Sequence, residues 1–322
     1  MKTIRWGIIG VGDVCEVKSG PGFQKARNSE LVAVMRRNGE KAKDFAERHA
    51  VPKWYDDADA LINDDDVDAV YIATPPYAHK DYTAAAAKAG KPVFVEKPMA
   101  LSYSECQEMI ATCQQANVPL WVAYYRRCLP RFVKIKELID SGAIGNVGTV
   151  SITLRKPPVD IGQGIPWRVQ ADLSGGGIFV DVAVHTLDFL DYVLGSISSV
   201  SGTTHNQGKL YDAEDTVNAM FSFESGVTGV GSWYFNSHDY FDETVIAGTE
   251  GHIAFSSFND DAFKLVNEDG EQLIQVDNPP HVHQPLIQTI VDELNGNGLC
   301  PSTGISAART TEVTDKILGI SS

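Results

Sequence analysis

Residues 1–122 alternate short β-forming apolar runs with helix-length segments, and this alternation restricts the fold more tightly than any other feature. Residues 3–9 (TIRWGII), 31–35 (LVAVM), 67–73 (VDAVYIA), 91–95 (KPVFV) and 119–122 (PLWV) each read as a buried strand. Strand–helix repetition of this kind predicts an α/β domain: a doubly wound parallel sheet with helices on both faces. At 322 residues the chain is long for one domain. The pattern changes after residue 123, so a first domain over 1–123 and a second over 124–322 are expected.

In the second half, residues 131–141 read as a helix and 147–154 (VGTVSITL) as an alternating strand. Further strands are expected at 197–205, 216–224, 227–235, 243–248, 252–258, 263–267 and 272–276. Turn residues such as Glu224-Ser225-Gly226 and Asp269-Gly270 separate several of them. Successive hairpins predict an α+β domain with a mainly antiparallel sheet. Trp233, Tyr234 and Phe235 suggest that its open face is partly apolar, and a homodimer or homotetramer through that face is expected. Residues 283–294 and 307–318 read as closing helices.

Forty-two acidic against 27 basic side chains give a net charge of −15, which disfavours nucleic acid or an anionic membrane as main partner. Seven aspartates fall in residues 56–68 and read as a solvated face. The five cysteines are odd in number and form no C-x-x-C pair, so neither a disulfide framework nor a metal site is indicated. No apolar run reaches membrane-spanning length, and no secretory pattern opens the chain; a cytoplasmic protein is expected.

Chemistry-bearing residues gather where the predicted strands end. Gly10-Val11-Gly12 follows the first strand, with Asp13 and Val14 next. Two glycines there allow a tight turn and close approach to a diphosphate, or simply a turn; Cys15 occupies the third fingerprint position. Arg36 and Arg37 end the second strand, with Lys41 one helical turn on. Cations there suit a ribose 2′-phosphate and NADP over NAD, or else point to water. Ala73-Thr74-Pro75-Pro76 ends the third strand and His79 opens the next helix, near a cofactor or as a cap. Glu96-Lys97-Pro98 ends the fourth; Lys97 either meets a substrate or pairs with Glu96.

In the second half, residues 156–174 lack regular patterning and read as a lid or binding segment, with Trp167 and Arg168 within it. Residues 175–195 (GGGIFVDVAVHTLDFLDYVLG) read as a helix after a flexible triple glycine. Asp181, His185, Asp188 and Tyr192 share one face of it. A carboxylate four residues before a histidine builds a proton donor; the alternative is a solvated polar face.

Gly10-Val11-Gly12, Ala73-Thr74-Pro75-Pro76 with His79, Glu96-Lys97-Pro98, the glycines 175–177, and Asp181 with His185 occur in an order and spacing that resemble the Gfo/Idh/MocA oxidoreductase family over nearly the full chain. The resemblance implies a Rossmann domain followed by a domain with a large open sheet, and a catalytic triad of Lys97, Asp181 and His185. It also implies cofactor contacts from the strand-end loops, Glu96 and Lys97 among them, and from Trp167 and Arg168, and a final helix near the domain junction. Within the family the chain is most similar to NADP-dependent reductases typified by 1,5-anhydro-D-fructose reductase, which implies a sugar or polyol substrate. It departs from them at Ala123, where asparagine is common, and at His283, where tyrosine is usual; His283 is a further candidate at the cofactor cleft. An NAD-dependent inositol-type dehydrogenase, a non-catalytic nucleotide-sensing regulator and redox-relay glycosidase chemistry are the alternatives.

Overall fold

A computed structural model describes residues 1–320. The chain forms two compact units, one of residues 1–100, 104–129 and 279–308, the other of 101–103, 130–278 and the segment from Arg309 onward.

The chain opens with β1 (Ile4–Ile9), α1 (Asp13–Val17), α2 (Gly20–Lys25), β2 (Ser29–Met35), α3 (Gly39–Arg48) and β3 (Lys53–Tyr55). It continues through α4 (Ala58–Ile62), β4 (Ala69–Ile72), α5 (His79–Lys88), β5 (Val93–Val95), α6 (Tyr103–Gln115) and β6 (Leu120–Val122). The six strands make one sheet in the order β3-β2-β1-β4-β5-β6, all neighbours parallel. The predicted doubly wound sheet is therefore observed. Its extra member, β3, escapes a hydrophobicity reading because it is an edge strand of only three residues.

Trp6, Phe23, Tyr71 and Phe94 form the aromatic centre of this unit, with Trp6 and Phe23 rings 4.9 Å apart and Tyr71 stacked on Phe94 at 4.7 Å. Part of the acidic run is structural, where a wholly solvated face was expected. Asp57 caps α4 by accepting from Ala60 N at 3.0 Å, and Asp64 accepts from Lys53 Nζ and Tyr55 Oη, each at 2.8 Å. Asp68 holds Lys2 and Arg5.

The second unit follows with α7 (Pro130–Asp140), β7 (Val147–Arg155), α8 (Ala171–Ser174), α9 (Gly177–Leu194), β8 (Ile197–His205), β9 (Thr216–Phe223) and β10 (Thr228–Tyr234). Then come β11 (Phe241–Gly248), β12 (Gly251–Phe255), β13 (Phe263–Asn267) and β14 (Gly270–Ile274). The eight strands are ordered β14-β13-β12-β11-β7-β10-β9-β8. All adjacent pairs are antiparallel except β7 with β10. Hairpins set every antiparallel pair except β7 with β11; β7, separated from the rest by α9, inserts between β10 and β11.

Helix α9 covers one face, with Phe179 edge-on to Trp233 at 5.1 Å and Phe189 edge-on to Phe255 at 5.8 Å. Trp233 and Phe235 are buried, which corrects the expectation that they make the open face apolar. Strand alternation turns them inward; Met220 and Val230, paired across β9 and β10, are the exposed apolar residues there.

After β14 the chain returns to the first unit with α10 (Gln284–Leu294), then forms α11 (Gly304–Leu318). Helix α10 lies against α2 at Gly22, where a Cβ would come within 3.1 Å of Ile287 Cδ1 and 3.3 Å of Gln284 N. All five cysteines lie outside any disulfide. Among the described residues no helix is long and apolar enough to cross a membrane.

Candidate active site

In the first unit the strand order reverses between β1 and β4, the switch point at which open α/β sheets bind ligands. Four loops leave the carboxyl ends of β1, β2, β4 and β5. Gly10 has φ +93°, and a Cβ on it would meet Thr74 Cγ2 at 2.7 Å, so the turn accepts only glycine. Gly10 N and Val11 N both donate to Met35 O, tying the loop to the end of β2. A Cβ on Gly12 would find only Gly10 O within 4 Å, at 3.9 Å, so space lies open before it. Thr74 Oγ1 is buried near this space without a hydrogen-bond partner. Open room at Gly12 and an unpartnered hydroxyl beside Gly10 fit a dinucleotide. Asp13 and Val14 form the first turn of α1, Asp13 exposed and Val14 half-buried. Cys15 is buried, and the close approach expected of a third glycine is made by Gly20, whose Cβ would lie 2.3 Å from Cys15 O.

At the end of β2, Arg36 is half-buried while Arg37 and Lys41 are exposed. Asn38 Oδ1 caps α3 by accepting from Lys41 N at 3.0 Å, and Arg37 Nη2 lies 3.5 Å from Tyr77 Oη. Ala73, Thr74 and Pro75 are half-buried and Pro76 is buried. His79 is fully buried, with Nε2 2.8 Å from Thr74 O and Nδ1 3.1 Å from both Pro98 O and Met99 O. The imidazole braces the loop after β4 against the loop after β5, and burial pushes its pKa down.

Beyond β5, Glu96 is buried and Lys97 half-buried, with the Lys97–Pro98 peptide cis. Glu96 Oε1 accepts from Tyr71 Oη and, at 2.9 Å, from His283 Nε2; Oε2 accepts from Lys97 N at 3.1 Å. Burial alone would raise this carboxyl, but the His283 imidazole, the Tyr71 hydroxyl and the Lys97 charge outweigh it and hold it at about 2. His283, read as a candidate at the cofactor cleft, is buried with its Nε2 on Glu96 and its ring 4.5 Å from that of Tyr125.

In the second unit, α9 carries Asp181 and His185. The glycines before it are locked. Their φ values are +83°, +138° and +65°, and Cβ atoms on Gly176 and Gly177 would lie 2.6 Å from Leu318 Cδ1 and 2.7 Å from Ala213 Cβ. Close approach, and not flexibility, accounts for the triple glycine. Nor is the polar face of α9 solvated: His185 is 5% exposed and Asp188 fully buried. Asp188 Oδ1 accepts from Thr310 Oγ1 at 3.4 Å, and Asp191 takes a bidentate pair from Arg309 at 2.6 and 2.9 Å. Asp181 keeps a fifth of its side-chain surface and lies 3.5 Å from Arg168 Nε. The Arg168 guanidinium in turn sits 4.6 Å from the centre of the half-buried Trp167 ring.

Residues 256–259, read partly as strand, form a turn after β12 that reaches α9. Phe258 N donates to Asp242 Oδ2 at 2.8 Å and Arg131 Nη1 donates to Asn259 O. The turn places Ser257 Oγ 2.8 Å from Thr186 Oγ1 and Phe258 edge-on to the His185 ring at 6.0 Å. No local motif marks Phe258 or Ser257, because only the folded sheet brings them to α9.

Each unit thus gathers its own set: strand-end loops in the first; Arg168, Asp181, His185 and Phe258 in the second. The model described as an oxidoreductase family with an NAD-binding Rossmann fold matches residues 4–124, and the GFO/IDH/MocA C-terminal domain matches residues 132–254. Oxidoreductase P35 of Formosa agariphila is 39% identical over 98% of each chain. The 1,5-anhydro-D-fructose reductase of Ensifer adhaerens is 28% identical over 93% of this chain and 91% of its own. A levoglucosan dehydrogenase solved with NADH and L-sorbose has the same fold, with a TM-score of 0.88 at 23% identity over 99% of this chain and 97% of that one. The chain belongs to the Gfo/Idh/MocA family of oxidoreductases, with an NAD(P)-binding Rossmann domain at its amino end.

Proposed function

We propose that the protein is an NADP-preferring oxidoreductase acting on a secondary alcohol or carbonyl of a sugar or polyol, with 1,5-anhydro-D-fructose and related keto-sugars as the leading substrate class. The observation that carries the reading is the buried His185 one helical turn beyond a partly exposed Asp181. When bound, the nicotinamide supplies the hydride acceptor or donor. Loss of hydride from a carbinol carbon requires loss of the hydroxyl proton, and His185 takes it; in the reductive direction His185 returns it. Asp181, held by Arg168, orients the imidazole. Lys97 donates a hydrogen bond to the substrate oxygen as negative charge grows there.

The preference for NADP rests on Arg36, Arg37 and Lys41, which stand where an acidic residue would bind a free ribose diol. Gly10, Val11, Gly12, Asp13, Val14 and the loop 73–76 are assigned to the dinucleotide, as are Trp167 and Arg168. The exposed Met220 and Val230 support self-association through the open face of the second sheet, and the enzyme is assigned to the cytoplasm.

A panel of keto-sugars, anhydro-sugars, inositols and aldoses, assayed with NADP(H) and NAD(H) in parallel, tests this. Turnover with a sugar, faster with the phosphorylated cofactor, is expected. Lys97→Ala and His185→Ala should each lower kcat by about 10²–10⁴-fold with NADPH binding retained. Wild-type kcat in either variant removes that residue's role, and an inositol oxidised only with NAD overturns the cofactor and substrate assignments together.

A further inference from the structure

Glu96 is a buried carboxylate whose surroundings exceed what the fold of the first unit requires. It follows β5 directly and precedes Lys97. Three elements converge on it: Tyr71 from the neighbouring strand β4, His283 from the amino end of α10, and the backbone N–H of Lys97. Tyr71 and His283 are 0% and 1% exposed. A buried ion costs folding free energy that an apolar group of similar volume would not, and every oxygen–donor contact here fixes the orientation of one carboxylate. Oε1 is gripped from two sides, so the carboxylate cannot rotate. Oε2 then holds the peptide N–H from which the Lys97 side chain starts.

We propose that His283 is a positioning residue for Lys97, acting through Glu96, with Tyr71 as the second support of the same oxygen. The imidazole touches neither the reacting atoms nor the substrate. Its Nε2–H anchors Glu96, and Glu96 sets both the backbone direction and the negative field at the origin of the Lys97 side chain. The Tyr125 ring, 4.5 Å from that of His283, holds the imidazole from its other side. The inference rests on the role assigned to Lys97 above, which its test must separate.

The test uses the full-length enzyme, NADPH and the panel member with the highest kcat/KM. His283→Phe removes the donor to Glu96; His283→Gln keeps an N–H of similar reach; Tyr71→Phe removes the second donor with the least change in volume. His283→Phe should lower kcat by about 10- to 100-fold, as expected for loss of a donor to a buried charge, with KM and the Kd for NADPH within about threefold of wild type. His283→Gln should recover most of that loss, and Tyr71→Phe should lower kcat in the same sense. Wild-type kcat in a folded His283→Phe overturns the inference, as does a Gln variant no better than Phe, or a loss carried by NADPH affinity instead of kcat. Should His283→Phe fail to fold, Tyr71→Phe decides, and unaltered kcat there overturns the inference. Lys97→Ala separates the two readings. If it abolishes turnover while the His283 and Tyr71 variants remain fully active, only the positioning role fails; if it turns over like wild type, or wild type itself turns over no panel member, both fail.

Discussion

Replacing Glu214 with glutamine should stabilise the protein at pH 8 and change little at pH 4.5. Glu214 Oε1 is buried without a hydrogen-bond partner, 3.3 Å from where a Cβ on Gly177 would lie, at the first turn of α9. Two effects oppose each other there. A helix amino terminus favours a carboxylate by about 0.3–2 kcal/mol, whereas desolvation disfavours the charge. Desolvation wins: burial pushes the carboxyl from 4.5 to about 7, against a hydrogen bond from its own backbone and with some help from the Asp215 charge. A carboxyl raised in this way binds its proton more tightly folded than unfolded. Its contribution is therefore fully present below pH 4.5 and is lost as pH rises to about 7. At roughly 1.4 kcal/mol per pH unit, discounted for the solvent contact the side chain keeps, the loss by pH 8 is about 1–3 kcal/mol. Glutamine cannot ionise and escapes it. Urea unfolding of both proteins, followed by tryptophan fluorescence at pH 4.5 and pH 8, measures the difference. A stability gap equal at the two pH values, or a variant less stable at pH 8, would refute the reasoning.

Two further outcomes follow from named residues. Arg36→Asp should weaken NADPH binding by about 10- to 100-fold, the magnitude of a lost charge-assisted hydrogen bond, and NADH binding far less; equal effects on the two Kd values would leave the phosphate assignment without support. Gly177→Ala should destabilise the second unit by about 2–4 kcal/mol, since alanine resists a φ of +65° and its Cβ would press on Ala213 at 2.7 Å; a midpoint unchanged in urea contradicts the close approach.

Regular elements were legible wherever local pattern and burial coincide. Strand β13 runs over Phe263–Asn267 as expected, and β9 over Thr216–Phe223, one residue short of the expected end. Legibility failed where tertiary contact overrides local pattern. Strand β3 is three residues long, too short for an alternation to show. The run Trp233-Tyr234-Phe235 shows three aromatics in a row, but which of them face inward depends on register against β7 and β9. His283 and Glu96 lie 187 positions apart and meet only because α10 returns to the first unit. The same holds for Phe258 and His185. Loops at strand ends were readable because backbone chemistry, glycine at Gly10 and proline at Pro75 and Pro76, is written locally.

Helix α9 joins these points, because a helix buried nearly all round would ordinarily be apolar, yet this one carries Asp181, His185, Asp188 and Asp191. A buried polar group costs folding free energy unless it is partnered. The carboxyl-terminal half meets that cost with permanent structural partners: Asp188 with Thr310 and Asp191 with Arg309, both on α11. The amino-terminal half is arranged differently. Asp181 is met by Arg168, a side chain about half exposed on the irregular segment 156–170, and His185 faces the partly exposed Phe258 at the turn after β12. One half of the helix is therefore fixed by the fold, while the other meets side chains that solvent, and so a substrate, can reach. A division of this kind along one helix fits the proton-transfer role proposed for Asp181 and His185, which calls for a rigid mount at one end and solvent-reachable partners at the other.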